Sequence, residues 1–511
     1  MLGTPDAGQL GLVLDAAPLD EMLAVGGHLD PVGAQVVGHL QREGRRYHSL
    51  LDPEAPGGAQ DDLELDLVPG EPLRVEVVEP ELLVRQQLQV RGDRLDPVEL
   101  EGAGDDVLAA VALGVEERVG NHERNLVPHL GRAQRIGVDE HEWDAELRRE
   151  LLASSDIFDA HLHLGNDIDG MTGEFDELFR VMDRYGISRA FMFCMDEPDR
   201  HPAFRAPNDR TLAQARRSGE RLIPFVRLDL GEDPIEEATR CLDLGARGIK
   251  LHPRAQRFLL NDERLAPVFA LAAERRVPIL IHGGRGLPPI ADSLARLVDA
   301  YPEAQLIIAH AGIADLGELA ARFGGKAGVF FDTSVWSPID LLSLFHLVAP
   351  EQVLYASDYP YGQQPSSLLI SLRTGRLAGF GEEHVRAMLW GNASRIAEGE
   401  PPLEPSPPRG GGTFSQPMAF ARIHQYLSMA TPLLWTRQAD TIGVLGLALN
   451  ATADRDGHAE EREQIRELLE GARDVWRLLP EIDDEREQRA ASRVAFRLVH
   501  LADILAVTTG A

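Results

Sequence analysis

The chain has 511 residues, a formal net charge of -31, and 44% hydrophobic and 26% charged residues. That length allows two or three domains and a large core. The strong negative charge repels nucleic-acid phosphate and the anionic inner membrane surface, so neither is an expected partner.

Two cysteines, Cys194 and Cys241, cannot build a disulfide framework and fit a reducing compartment. The opening MLGTPDAGQLG has no basic or apolar region of a signal peptide. No apolar run reaches the roughly 18 residues of a membrane span. The expectation is a soluble cytoplasmic protein acting on a small molecule, with homo-oligomers possible. Only two lysines occur, Lys250 and Lys326.

Residues 1–150 hold no Phe, Cys or Lys and few other anchors: Tyr47, Trp143 and Ile136. Val, Leu, Asp, Glu and Gly dominate, and so few aromatic anchors argue against a tightly packed core. This acidic extension is read either as disordered, even a spurious start of the reading frame, or as a small β domain, since LRVEVVEPELLV alternates loosely.

From about 155 to 397, short apolar runs alternate with amphipathic stretches. Strands are predicted at 157–163, 189–195, 222–228, 246–252, 277–283, 305–311, 327–333 and 352–358. Helices are predicted between them, such as 174–186 and 287–301. Eight βα units in about 240 residues match an α/β (β/α)8 TIM barrel, which usually takes roughly 250. A doubly wound sheet is the runner-up, but no G-x-G-x-x-G follows the first strand. Residues 398–413, EGEPPLEPSPPRGGGT, read as a flexible or extended linker. Residues 414–511 read as a helical bundle: Ile465, Leu468, Leu469, Ala472, Val475, Trp476 and Leu479 share one helix face.

Potential metal ligands fall at the C-terminal ends of the predicted strands, the face where TIM barrels carry their active sites. His161 and His163 end strand one, Lys250 and His252 strand four, His282 strand five, His310 strand six and Asp358 strand eight. Residues two apart on a strand face the same side, so His161 and His163 point together. His282 and Asp358 can close a site across the mouth. Three His and one Asp suit Zn²⁺ or another borderline divalent ion. Asp358 or His310 can move a proton during water activation. Arg254 and Arg285 follow strands four and five, and guanidinium forks suit a substrate carboxylate or phosphate. His201, His346 and His384 read as ordinary structural histidines.

The barrel zone resembles the amidohydrolase superfamily, in its amidohydrolase-related branch, which also includes decarboxylases of unsaturated and aromatic acids. The resemblance rests on DAHLH (159–163), GIKLHP (248–253), LIHGG (280–284), IAHAG (308–312), SDYP (357–360) and GNASRI (391–396). It covers about 240 of the 511 residues and says nothing of the flanks. The resemblance implies that His161, His163, His282 and Asp358 ligate one metal, with His310 beside it as base or polarising group. It also implies a binuclear variant, in which a carbamylated Lys250 bridges two metals. An unmodified Lys250 could instead bind a substrate carboxylate, and one metal is the favoured count. Substrate contacts fall to Arg254, Arg285 and His252.

The leading function is hydrolysis of a C–N or C–O bond in a small substrate carrying a carboxylate. The alternative is a metal-dependent decarboxylase on the same scaffold. A TatD-like nuclease would show a Glu at strand four, where Lys250 and His252 stand. An inactive barrel with partner-binding flanks is the non-enzyme reading, and the complete ligand set weighs against it.

Overall fold

The computed structural model describes Leu147 and residues 156–410, 414–435, 441–454 and 457–509. Apart from Leu147, the N-terminal 1–150 extension lies outside the described residues, and so do both readings of it.

A parallel barrel dominates. β1 (Ile157–Asn166) carries a short antiparallel hairpin partner, β2 (Thr172–Gly173). Then α1 (Phe175–Tyr185), β3 (Ile187–Cys194), α2 (Arg205–Arg217), β4 (Leu222–Arg227), α3 (Pro234–Asp243) and β5 (Gly248–Leu251) follow. α4 (Leu265–Arg275), β6 (Ile279–Ile281), α5 (Ala291–Ala300), β7 (Leu306–Ile308), α6 (Leu316–Phe323), β8 (Val329–Asp332), α7 (Pro338–Leu347), β9 (Val353–Leu354) and α8 (Gln364–Leu377) complete the alternation. Strand order is β2-β1-β3-β4-β5-β6-β7-β8-β9, each pair after the first parallel.

The chain after β9 closes the ring on β1. Ala160 N donates to Tyr355 O at 2.8 Å, Asp358 N to His161 O at 2.8 Å and His163 N to Tyr359 O at 2.7 Å.

All eight predicted barrel strands are present: β1 and β3 run longer than predicted, and the other six have shorter ladders. α5 starts at Ala291 rather than 287. Pro288 and Pro289 have no N–H to donate, and Asp315 caps the later start by accepting from Ile290 N and Ala291 N, both at 2.9 Å.

Side-chain alternation explains the interior. Phe158, Ala160, Phe191, Phe193, Ile223, Phe225, Leu280, Ile307, Ala309, Phe330, Leu354 and Ala356 form one buried cluster inside the barrel. The next inward positions toward the C-terminal ends are Arg227, Lys250, His282, Asp332 and Asp358. An apolar floor therefore carries a polar layer at the mouth.

Beyond α8, α9 (Glu382–Arg386) and α10 (Asn392–Glu398) flank a π turn. The segment 399–410 is extended and tied down: Ser406 N and Oγ donate to Glu351, and Gly410 N donates to His346 O. Four helices follow: α11 (Met418–Trp435), α12 (Thr441–Thr452), α13 (Ala459–Leu478) and α14 (Glu485–Thr508). They pack together, and α14 leans on α7 and α8. The Phe496 ring meets Trp336 edge-on at 4.9 Å, His500 donates from Nε2 to Trp336 O at 3.0 Å, and Gln363 Nε2 donates to Arg493 O at 3.3 Å. Trp336 and Gln363 lie on the loops after β8 and β9, so the helices bear on the rim of the mouth. Among the described residues no helix is long and apolar enough to cross a membrane.

Candidate metal centre

His161 and His163 reach the mouth because β1 is bulged. The register against β3 slips by one residue between Asp159 and Leu162. Phe158 and Ala160 face inward, so unbroken alternation would send His161 outward. The extra residue flips the parity, and both imidazoles enter the mouth. His310 and Asp358 are re-aimed differently, by left-handed backbone at φ of +58° and +57°. Such angles in non-glycine residues store strain and cluster at functional sites.

Three atoms converge. His161 Nε2 and His163 Nε2 stand 3.2 Å apart, and each lies 3.2 Å from Asp358 Oδ1. The tautomers follow from the partners. His161 Nδ1 donates to Asp332 Oδ2 at 2.7 Å, and His163 Nδ1 donates to Cys194 O at 3.4 Å. In the neutral imidazoles both Nε2 atoms then present lone pairs, which cannot hydrogen-bond to each other. Burial and Lys250 oppose the charge on His161, but Asp358 and Asp332 outweigh them and hold it above its ordinary value, so the carboxylates call for a positive charge at this spot. Two lone pairs and a carboxylate oxygen repel one another unless a cation sits among them. Atoms about 2.1 Å from a zinc ion and roughly 100° apart stand about 3.2 Å from one another, so the set fits a divalent cation.

His282 lies alongside. Its ring stacks on His252 at 4.0 Å and meets His310 edge-on at 4.6 Å. Its Nε2 is buried without a hydrogen-bond partner, as an unused ligand nitrogen would be. Gly284 keeps this corner open: a Cβ there would stand 2.9 Å from both His282 Cε1 and His310 Cδ2. His310 Nδ1 donates to Ser334 O at 2.8 Å and lies 4.0 Å from Asp358 Oδ2. Because the carbonyl only accepts, Nδ1 holds the proton and Nε2 is left as a base.

Lys250 Nζ lies 3.3 Å from His161 Nε2 and 4.6 Å from the centre of the Phe193 ring. Burial pushes its ammonium down to about 7, against the pull of Asp358 and Asp332. Burial would lift the Asp358 carboxyl, but the surrounding imidazoles, His161 first, hold it well below the usual carboxylate range. Burial lowers His282, His252 and His310, and takes His163 down to about 4. His252 Nδ1 accepts from Ala255 N at 3.2 Å.

Arg254 and Arg285 flank this buried group, and the Arg285 backbone bonds to the His282 ring. Both are exposed loop residues. Arg254 lines a cleft of about 440 Å³ together with Arg257, Phe258, Asp262 and Gly286. His201, with Asp229 and Glu232, forms a surface cluster in which His201 and Ala203 N both bond to Glu232.

Three buried polar residues around the centre escaped the sequence reading. Asp332 orients His161 and also accepts from His310 N at 2.8 Å and Ser334 Oγ at 2.6 Å. Asp159 accepts from Ser357 N and Oγ, Gln364 Nε2 and His161 N. Arg227 ends β4. The signal for Asp332 was present, since FFDT closes an apolar strand just as the histidine motifs do.

Residues 158–396 match the family model described as Amidohydrolase. The barrel is thus an amidohydrolase-family domain, with a His/Asp constellation able to hold a divalent metal. In solved structures it is similar to 5-carboxyvanillate decarboxylase from Sphingomonas paucimobilis, at 15% identity and TM-score 0.38, covering 48% of this chain and 99% of that one. It is similar to 4-oxalomesaconate hydratase from Rhodopseudomonas palustris, at 18% identity and TM-score 0.36, covering 48% and 96%. It is also similar to an uncharacterized TIM-barrel protein from Bordetella bronchiseptica, at 15% identity and TM-score 0.38, covering 48% and 99%. No curated protein sequence matches the chain.

Proposed function

We propose that the chain is a zinc-dependent hydrolase acting on a C–N or C–O bond of a small carboxylate-bearing molecule. The observation that carries this reading is the buried triangle of His161 Nε2, His163 Nε2 and Asp358 Oδ1, each 3.2 Å from the next, with both Nδ1 atoms committed to other acceptors. These residues would hold one divalent ion, with His282 Nε2 as a further ligand. When bound, such an ion supplies Lewis acidity and a water acidified toward neutral pH.

The protein's own groups do the rest. His310, whose Nδ1 lies 4.0 Å from Asp358 Oδ2, keeps its Nε2 free of Ser334 and can take a proton there from the attacking water. It can return that proton to the leaving nitrogen or oxygen. Ser334 and Asp332 keep its ring and backbone in place. Lys250, buried and close to neutral, can donate a hydrogen bond to a substrate oxygen. His252 braces His282 by stacking.

Metal analysis of the pure protein, followed by a screen against lactones, amides and aromatic acids, tests the reading. One zinc per chain and loss of it in a His161→Ala/His163→Ala variant are expected. Metal content unchanged in that variant, or near two per chain, would overturn the site as drawn. Release of CO2 from an aromatic acid in place of hydrolysis would overturn the reaction.

A further inference from the structure

Among the described residues, Arg227 is a large buried cation of the mouth that the metal reading leaves without a task. Its side chain is 2% exposed, at the end of β4. It shares inward parity with Ile223 and Phe225 of the barrel floor, so the guanidinium is aimed into the mouth. Lys250 is its register neighbour on β5. Its Nη1 donates to Cys194 O at 3.5 Å, the same carbonyl that takes the proton of His163 Nδ1. Only one oxygen therefore separates the guanidinium from an imidazole of the metal triangle.

The opposite edge of the guanidinium is unused. Nε and Nη2 are both buried without a hydrogen-bond partner. These two N–H groups point the same way and form the side-on fork that grips two carboxylate oxygens. The nearest acid does not fill it. Asp196 Oδ1 lies 3.9 Å from Nη2, beyond hydrogen-bond reach, and is closer to Arg200 Nε at 3.3 Å. The Phe204 ring covers the guanidinium at 4.9 Å, an apolar wall that leaves the charge unquenched.

We infer that Arg227 is the substrate-anchoring residue of this centre, its Nε/Nη2 edge binding the carboxylate of an organic acid in the barrel interior. The inference rests on the hydrolase reading for the centre and adds to it the anchor and the class of ligand. The exposed Arg254 and Arg285 then serve the approach at most. An acid held on the Arg227 fork is joined to the metal triangle through the guanidinium and the Cys194 carbonyl that also holds His163, with Lys250 as the register neighbour of its anchor.

The test uses the full chain, zinc-stripped and zinc-loaded, with benzoate as probe and the neutral isostere benzamide as control. Calorimetric titration of zinc-stripped wild type is expected to show benzoate binding about tenfold or more tighter than benzamide. Arg227→Met should lose that preference. Should Arg227→Met fail to fold, Arg227→Lys keeps the buried charge but not the fork, and is expected to lose most of the benzoate affinity. Asp196→Asn should keep benzoate binding. Equal binding of benzoate and benzamide, or wild-type benzoate affinity in folded Arg227→Met or Arg227→Lys, would overturn the proposal. If Asp196→Asn abolished binding, the Arg227–Asp196 pair would be structural and the proposal would fall. Wild type that binds no zinc would sink the hydrolase reading alone, because the benzoate arm is read on zinc-free protein.

Discussion

Asp332→Asn probes how the second layer of the site controls the first. The carboxylate takes three donors on Oδ1, from His310 N, Ser334 N and Ser334 Oγ, at 2.8, 3.1 and 2.6 Å. Oδ2 takes one, His161 Nδ1 at 2.7 Å. An asparagine can keep its oxygen where three donors meet, which puts its NH2 against the His161 Nδ1–H. Two donors then face each other in a fully buried spot. The imidazole relieves the clash by moving its proton to Nε2, the atom that should hold the cation. Loss of such an orienting partner costs about 10–100-fold in metal affinity, or about 1.4–2.7 kcal/mol. Competition for zinc against a chromogenic chelator measures this directly. The melting temperature of the zinc-free variant checks that the fold is intact. Zinc affinity within about twofold of wild type in a folded variant would refute the argument that Asp332 fixes the His161 tautomer.

Other expectations follow from separate parts of the molecule. Phe225→Ala opens the floor between Phe191 and Phe193, which pack on it at 4.6 and 6.4 Å. It should cost about 3–5 kcal/mol in urea unfolding, and a loss under about 1 kcal/mol would show that the floor is loosely packed. Gly284→Ala should lower zinc content, because the added methyl meets both His282 and His310; unaltered metal content would place His282 outside the ligand set. His500 is pushed down to about 4 by burial, from an ordinary 6.5. The unfolded chain therefore takes up a proton across that window that the folded chain refuses, so stability falls as pH drops from 6.5 toward 4 and levels off below. The full effect is about 3 kcal/mol, of which about 2 kcal/mol falls between pH 7.5 and pH 5, read as the difference between wild type and His500→Gln in urea midpoints at those two pH values. Equal pH slopes in the two proteins would refute it.

The barrel was legible because eight apolar runs, each followed by an amphipathic helix, leave few alternatives. The H-x-H pair was read as sharing a face, and it does. Which face depends on the bulge between Asp159 and Leu162, which no residue type announces. The left-handed backbone at His310 and Asp358 was equally silent, since neither is glycine. Asp332 and Arg227 were overlooked although each closes an apolar strand as Lys250, His282 and Asp358 do. Only the parity of Phe330 and Phe225 shows that both turn inward. Arg254 and Arg285, chosen by proximity to the motifs, occupy exposed loops instead. The packing of α14 on Trp336 lay beyond reach, because an amphipathic face does not say what covers it.

Asp159 ties these features together, and its removal gives the sharpest separation of fold from site. It lies just before the bulge and is fully buried. It accepts from His161 N at 3.2 Å on one side of the closing seam, and from Ser357 N at 2.9 Å, Ser357 Oγ at 2.6 Å and Gln364 Nε2 at 3.0 Å on the other. The same seam carries the bond from Asp358 N to His161 O. Closing the barrel and bringing Asp358 to His161 are therefore one event. Asp159→Ala strands four donors, at about 1 kcal/mol each, and should cost about 3–4 kcal/mol of stability. It should weaken zinc binding as well, although Asp159 touches no metal ligand side chain. Asp159→Asn is expected to be milder. Burial lifts the Asp159 carboxyl above its usual range, so the site already disfavours the charge, and the amide oxygen still accepts. Urea unfolding and chelator competition on both variants decide the matter. A destabilised Asp159→Ala protein that bound zinc as tightly as wild type would show that seam and site are independent, whereas parallel losses, graded from Asn to Ala, follow if the seam positions the ligands.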